Sequence, residues 1–284
     1  MADCFGYGMG YEIEAYNMDL WALKEQMENA FLLPKKVGYK KNFSKYLISE
    51  EEDITIKSDS FYGGEVSSPI LYNQKSLQES ILYVLEILQK NHARNLDSFH
   101  SSASLHFHFG LEAFQHNYQN CYRFIKFMHA FCGEIYEYSH EENGSIRRSV
   151  YKYASPYLKE ELDRLFQRLN NFQDMQEIPS RGRIPAPLFT FASKTHMYRF
   201  TKNTIEVRTC NCPIPPTKED FNIKASYEQF MRYFSFYQKL IEYISSNQFD
   251  QELIDYYYEK ERENPYIADK QRLTSLKRIL KIKE

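Results

Sequence analysis

Polar and apolar positions alternate with a period of two in several short stretches of the chain. Residues Tyr7 to Tyr16 read Tyr-Gly-Met-Gly-Tyr-Glu-Ile-Glu-Ala-Tyr, with Ile13 between Glu12 and Glu14. Asp53 to Lys57 (Asp-Ile-Thr-Ile-Lys) and Ser104 to Phe109 (Ser-Leu-His-Phe-His-Phe) alternate in the same way. This period predicts strands, because successive side chains leave a strand on opposite faces. Glu65 to Ser68 is a further strand, stopped by Pro69 and preceded by a turn over Ser58 to Gly63. Thr195 to Thr201 and Thr204 to Thr209 are β-rich and separated by Lys202-Asn203, which predicts a hairpin.

Between these stretches the apolar spacing lengthens to that of a helix. Asp19 to Leu32 reads as a helix ending before Pro34. Ser76 to Ala93 carries Leu77, Ile81, Leu85 and Leu88 on one face, the mark of an amphipathic helix. Glu112 to Tyr138 reads as one long aromatic helix and Pro156 to Phe172 as another. Ile178 to Pro187 holds three prolines with Arg181 and Arg183, and is a loop. Cys212 to Pro216 is a proline-rich exit. From Thr217 onward the pattern is helical, with Phe230, Phe234, Tyr237, Ile241 and Ile244 in one stripe, ending in a basic amphipathic segment from Asp269 to Lys283. There is no internal repeat. Strands that alternate belong to a sheet with one face toward solvent. The expected fold class is therefore α+β, an antiparallel sheet with one face open and helices packed on the other.

Composition narrows the class. The chain has 284 residues and a net charge of −2, with 24 tyrosines, 21 phenylalanines and only 10 glycines. So many aromatics exclude a disordered polar chain, and a balanced charge argues against a wholly basic nucleic-acid coat. No apolar run reaches the ~18 residues of a membrane span. The start lacks a secretory pattern, and the five cysteines show no framework spacing. A reduced, cytoplasmic protein with no membrane or nucleic-acid partner is expected. Six glycines abut polar motifs: Gly6, Gly8 and Gly10 precede Glu12, Gly63 and Gly64 precede Glu65, and Gly110 follows His108.

Those motifs carry the candidate chemistry. Glu12/Glu14, His106/His108 and Glu206/Arg208 are i, i+2 pairs, so each projects two polar groups from one face of a strand at roughly 6.5–7 Å. Neighbouring strands would gather Glu12, Glu14, Glu65, Glu206, both histidines and Arg208 on one face. Carboxylates collected in this way repel unless cations lie between them. Oxygen-rich ligand sets suit Mg²⁺ or Mn²⁺. Singly, each pair is also what a solvated strand face, a satisfied histidine pair or a structural ion pair looks like.

The four blocks occur in a familiar order. Gly10-Tyr11-Glu12-Ile13-Glu14 comes first, then Gly64-Glu65-Val66-Ser67-Ser68-Pro69, then Leu105-His106-Phe107-His108, then Thr204-Ile205-Glu206-Val207-Arg208. The chain resembles the amidoligase family, carboxylate–amine ligases with a glutamine-synthetase-like catalytic fold. The resemblance spans about residues 5–212, and Ser104 stands where the family often has glycine. It implies a catalytic core over residues 1–216 and a C-terminal helical extension over 217–284 packed on it. It also implies ATP-dependent amide formation through an acyl phosphate, with divalent metal, Mg²⁺ or Mn²⁺. The substrates would be small-molecule, peptide or protein carboxylates and amines. By the resemblance, Glu14 and Glu65 hold one metal, and Glu12, His106 and Glu206 hold the other. His108 lies near the nucleotide phosphates, and Arg208 meets the transferring phosphoryl group.

Further basic residues are candidates for nucleotide binding. Arg199 precedes the Glu206 strand, and Arg181 and Arg183 sit in a loop that is either a lid or an ordinary basic surface loop. Cys210-Asn211-Cys212 lacks matching partners for a metal site and reads as buried thiols. Two alternatives stay open beside the ligase. One is a relative of the fold that binds nucleotide or peptide without catalysis. The other is a His-x-His metallohydrolase without ATP, for which Arg208 beside Glu206 is the wrong companion, since its fork suits phosphate.

Overall fold

The structure is a computed structural model that describes residues 4–16, 55–59, 63–95, 103–115, 117–139, 154–170, 196–201, 204–260 and 262–282. The expected helix at Asp19–Leu32 and the Arg181/Arg183 loop lie outside the described residues. The chain is a mixed α and β fold built on an antiparallel open sheet. It divides into two compact units. The first comprises Met1–His108, Arg147–Ser149 and Asn211–Met231, the second Phe109–Ile146, Val150–Cys210 and Arg232–Glu284.

In the first unit the alternation becomes a long strand, β1 (Cys4–Tyr16). Met9, Tyr11, Ile13 and Ala15 are buried, while Gly8, Gly10, Glu12 and Glu14 face the more open side. The strand starts three residues before the expected Tyr7. Gly6, at φ 74°, occupies the left-handed region that a side chain disfavours. β2 (Thr55–Asp59) and β3 (Gly63–Ser67) form an antiparallel pair, so Ser58 and Asp59, expected in a turn, belong to a strand. A short strand without a sequence signal, β4 (Leu71–Asn73), pairs with the early part of β1 through Met9 and Leu71. With β5 (Ser104–Gly110) the order is β2-β3-β1-β5.

Helix α1 (Gln74–Lys90) begins where Asn73 accepts from the Ser76 amide at 2.9 Å. It buries Leu77, Ile81, Leu85 and Leu88, the face read from the sequence. The Tyr11 and Ser80 hydroxyls, 2.8 Å apart, tie β1 to this helix. Phe230 packs edge-on against Tyr11 at 5.1 Å and Phe107 at 5.3 Å. The apolar face of β1 and β5 is thus covered by helices, which leaves their other face for polar side chains.

In the second unit β6 (Tyr198–Phe200) pairs antiparallel with β7 (Thr204–Asn211), with Arg199 opposite Glu206. The end of β5 runs beside β7. The single helix expected over Glu112–Tyr138 is three pieces. A 3-10 turn (Leu111–Phe114) ends at Gln115, whose φ of 56° is left-handed. Asn117 then caps α2 (Tyr118–Ala130) by accepting from the Gln119 amide at 2.7 Å. Phe131, at φ −120°, separates α2 from α3 (Cys132–Ser139). Local capping chemistry overrides a continuous apolar stripe here. α4 (Lys159–Asn170), α5 (Ile223–Ile244), α6 (Gln251–Glu259) and α7 (Lys270–Ile279) complete the described helices. The α5 stripe Phe234, Tyr237, Ile241 and Ile244 is buried as expected. No described helix is long and apolar enough to cross a membrane.

The C-terminal segment is anchored by charge as well as by apolar contact. Glu134 is fully buried; it pairs with Arg262 and accepts from the Asp269 amide at 2.7 Å. Arg272 donates to the carbonyls of Ala130 at 2.6 Å, Tyr257 at 2.9 Å and Lys260 at 2.7 Å. Gly133 lets this segment approach: a Cβ there would meet the Ile267 carbonyl oxygen at 2.3 Å.

Candidate metal centre

The first unit collects five of the predicted residues on one face of three strands. Antiparallel register sets Glu14 directly opposite Glu65, and Glu12 opposite Ser67. Directly opposed side chains lie ~5 Å apart at Cβ, and like charges placed so are destabilising in the absence of a counter-charge. Ser67 donates to Glu65 Oε1 at 2.9 Å and so holds that carboxylate in place. Glu65 is buried, at 6% exposure.

β5 brings the imidazoles to the same carboxylates. His106 Nδ1 is 3.3 Å from Glu12 Oε2, and its Nε2 is 3.8 Å from Glu14 Oε1. His108 Nε2 is 3.3 Å from Glu12 Oε1. Glu12 therefore addresses both histidines, one with each oxygen. Ser104, buried two residues before His106, hydrogen-bonds Glu14 and lies 2.6 Å from His106 Nε2. The backbone is pinned as well: the Cys212 thiol donates to the Glu14 carbonyl at 3.1 Å, and Ser68 Oγ accepts from the Tyr11 amide at 2.9 Å. Gly10 leaves the surface bare next to His108, where a Cβ would lie 3.4 Å from Ser68 Oγ and 3.9 Å from His108 Cβ.

This donor set fits divalent cations. Glu12 and His106 each offer a ligand atom close enough to share one ion. Glu14 and Glu65 form an all-oxygen pair of the kind that hard cations take. Three carboxylates with two imidazoles exceed what a solvated strand face needs, and most of them are withdrawn from solvent: Glu12 is 15%, Glu14 13% and His106 2% exposed in their side chains.

In the second unit Glu206 is fully buried on β7. Its two oxygens pair separately with the Arg199 Nε and the Arg208 Nη1. The Arg199 side chain is 20% exposed, whereas Arg208 is buried. Arginine forks held in this way have the donor geometry that phosphate and carboxylate groups take. Cys210 and Cys212 are buried thiols outside any disulfide.

Ser104 and Ser67 are the site residues that the motif reading did not assign. Strand parity held the signal for both: Ser104 shares a face with His106, and Ser67 shares one with Glu65. No known family profile matches the chain, and no curated protein is similar enough to it to count as a match.

Proposed function

We propose that this protein is an ATP- and divalent-metal-dependent carboxylate–amine ligase, with its catalytic residues on the open face of a glutamine-synthetase-like sheet. The observation that carries the proposal is Glu12 held between His106 and His108, beside Glu14 opposed to Glu65. A solvated face has no reason to gather three carboxylates with two imidazoles and withdraw most of their surface from water. Glu12 and His106 would hold one ion, and Glu14 with Glu65 the other. Bound metal would neutralise phosphate oxygens and orient the transferring group.

The remaining work falls to the chain's own side chains. Gly10 leaves room for phosphate beside His108, whose imidazole can donate to a phosphate oxygen. Arg199 and Arg208 are aligned by Glu206, so they can receive the substrate carboxylate or the transferring phosphoryl group. The arginine pair favours the ligase over a metal-dependent hydrolase, since two fixed cations serve anionic partners better than a water nucleophile.

The direct test is phosphate release from ATP with Mg²⁺ or Mn²⁺, screened over amino acids, peptides and amines. A ligase releases phosphate only when an acid and an amine are both present, and it forms an amide detectable by mass. Phosphate release with no dependence on either, or none under any pairing, would contradict the assignment.

A further inference from the structure

We infer that Ser104 is a positioning residue that fixes the tautomer of His106 and presents its Nδ1 lone pair toward Glu12 for a metal ion. The inference rests on the metal assignment just proposed and adds to it a residue outside the ligand set. Ser104 is 2% exposed, and its hydroxyl touches both Glu14 and His106 Nε2, the latter at 2.6 Å.

Counting protons decides the direction of these bonds. An ionised carboxylate can only accept, so the single hydroxyl proton of Ser104 goes to Glu14. The Ser104 oxygen is then left as the acceptor for His106, and the short Nε2 contact requires the proton on Nε2. A metal-ligating imidazole is neutral and has one N–H, so in that state Nδ1 carries the lone pair. Glu12 Oε2 lies 3.3 Å from that Nδ1. A ring nitrogen and a carboxylate oxygen at this separation can both turn to one cation. The chain Nε2–H to Ser104 Oγ–H to Glu14 is the kind of second hydrogen bond that orients a ligating histidine and raises its basicity. It also couples the two carboxylates of β1: Glu14 holds the hydroxyl that sets the ring which ligates beside Glu12. Alanine at this place would remove the acceptor at Nε2 and free the ring to donate from Nδ1 to Glu12 instead, closing the ligand position with a proton.

The test reads the tautomer directly. Long-range ¹H–¹⁵N spectra of metal-free, ¹⁵N-histidine-labelled protein should show His106 protonated at Nε2. The Ser104→Ala variant should move the proton to Nδ1 and weaken Mn²⁺ binding, followed by electron paramagnetic resonance, by ~10-fold or more. Ser104→Thr, which keeps the hydroxyl, should restore both. Wild-type protein that binds Mn²⁺ but carries the His106 proton on Nδ1 would overturn the inference without the use of any variant. So would a Ser104→Ala variant with tautomer and Mn²⁺ affinity unchanged. Wild-type protein that takes up no Mn²⁺ would instead refute the metal assignment itself, whatever the tautomer.

Discussion

His129 shows how a single buried side chain sets a pH limit on this protein. It lies on α2 against the Tyr258 ring at 5.1 Å, and its Nδ1 has no hydrogen-bond partner among the described residues. Burial, aided by the nearby Arg262, pushes its pKa down from 6.5 to about 4, although a bond to the Tyr157 backbone opposes the shift. The folded state therefore holds a neutral imidazole, while the unfolded chain protonates at about 6.5. Stability is full above pH 6.5 and falls as the pH drops toward 4, because the unfolded state binds the extra proton. The loss amounts to about 3 kcal/mol at the lower end. Urea unfolding at pH 7 and pH 4.5 should show it, and His129→Gln should flatten the dependence over that interval. An unchanged slope in the variant would place the acid sensitivity elsewhere.

At the scale of elements, Gly133 matters because α3 and the segment leading to α7 approach more closely than a side chain allows. Gly133→Ala sets a Cβ against the Ile267 carbonyl and, at 2.7 Å, against Arg262 Nη1. Overpacking against backbone should cost ~1–3 kcal/mol in urea unfolding, and should speed amide exchange over residues 262–269 first. Unaltered exchange there would show that the segment accommodates the methyl group. This contact was invisible in the sequence, since nothing near Gly133 names Ile267 as its neighbour. The strands that carry the site were legible, because Glu-Ile-Glu and His-Phe-His alternate cleanly over a buried apolar face. β4 was not, since three residues after Pro69 are too few to show a period. The break of the long aromatic segment at Gln115 and Phe131 was also hidden, because the apolar stripe runs on through residues whose backbone turns. Ser104 lay in plain view on the His106 face, yet its part depends on Glu14 of another strand, and no single-strand pattern records a cross-strand partner.

For the molecule as a whole, a net charge of −2 is spread over 36 basic and 38 acidic residues, so the clustering of Glu12, Glu14 and Glu65 is local rather than a consequence of overall acidity. Under the proposed function such a cluster serves a ligand of opposite charge, and within the second unit Glu206 pairs with Arg199 and Arg208. Half of this was written in the motifs: residue types, spacing and faces. The other half, that Glu12 turns one oxygen to each imidazole, required the register of β1 against its neighbours. Calorimetric titration of Mn²⁺ into wild-type protein and Glu12→Gln, before and after addition of ATP, tests the central claim most directly. Wild type should bind Mn²⁺ and bind ATP more tightly once the metal is present, while Glu12→Gln, folded alike by circular dichroism, should lose at least tenfold in Mn²⁺ affinity. Equal Mn²⁺ binding by the two proteins, or ATP binding indifferent to the metal, would contradict it.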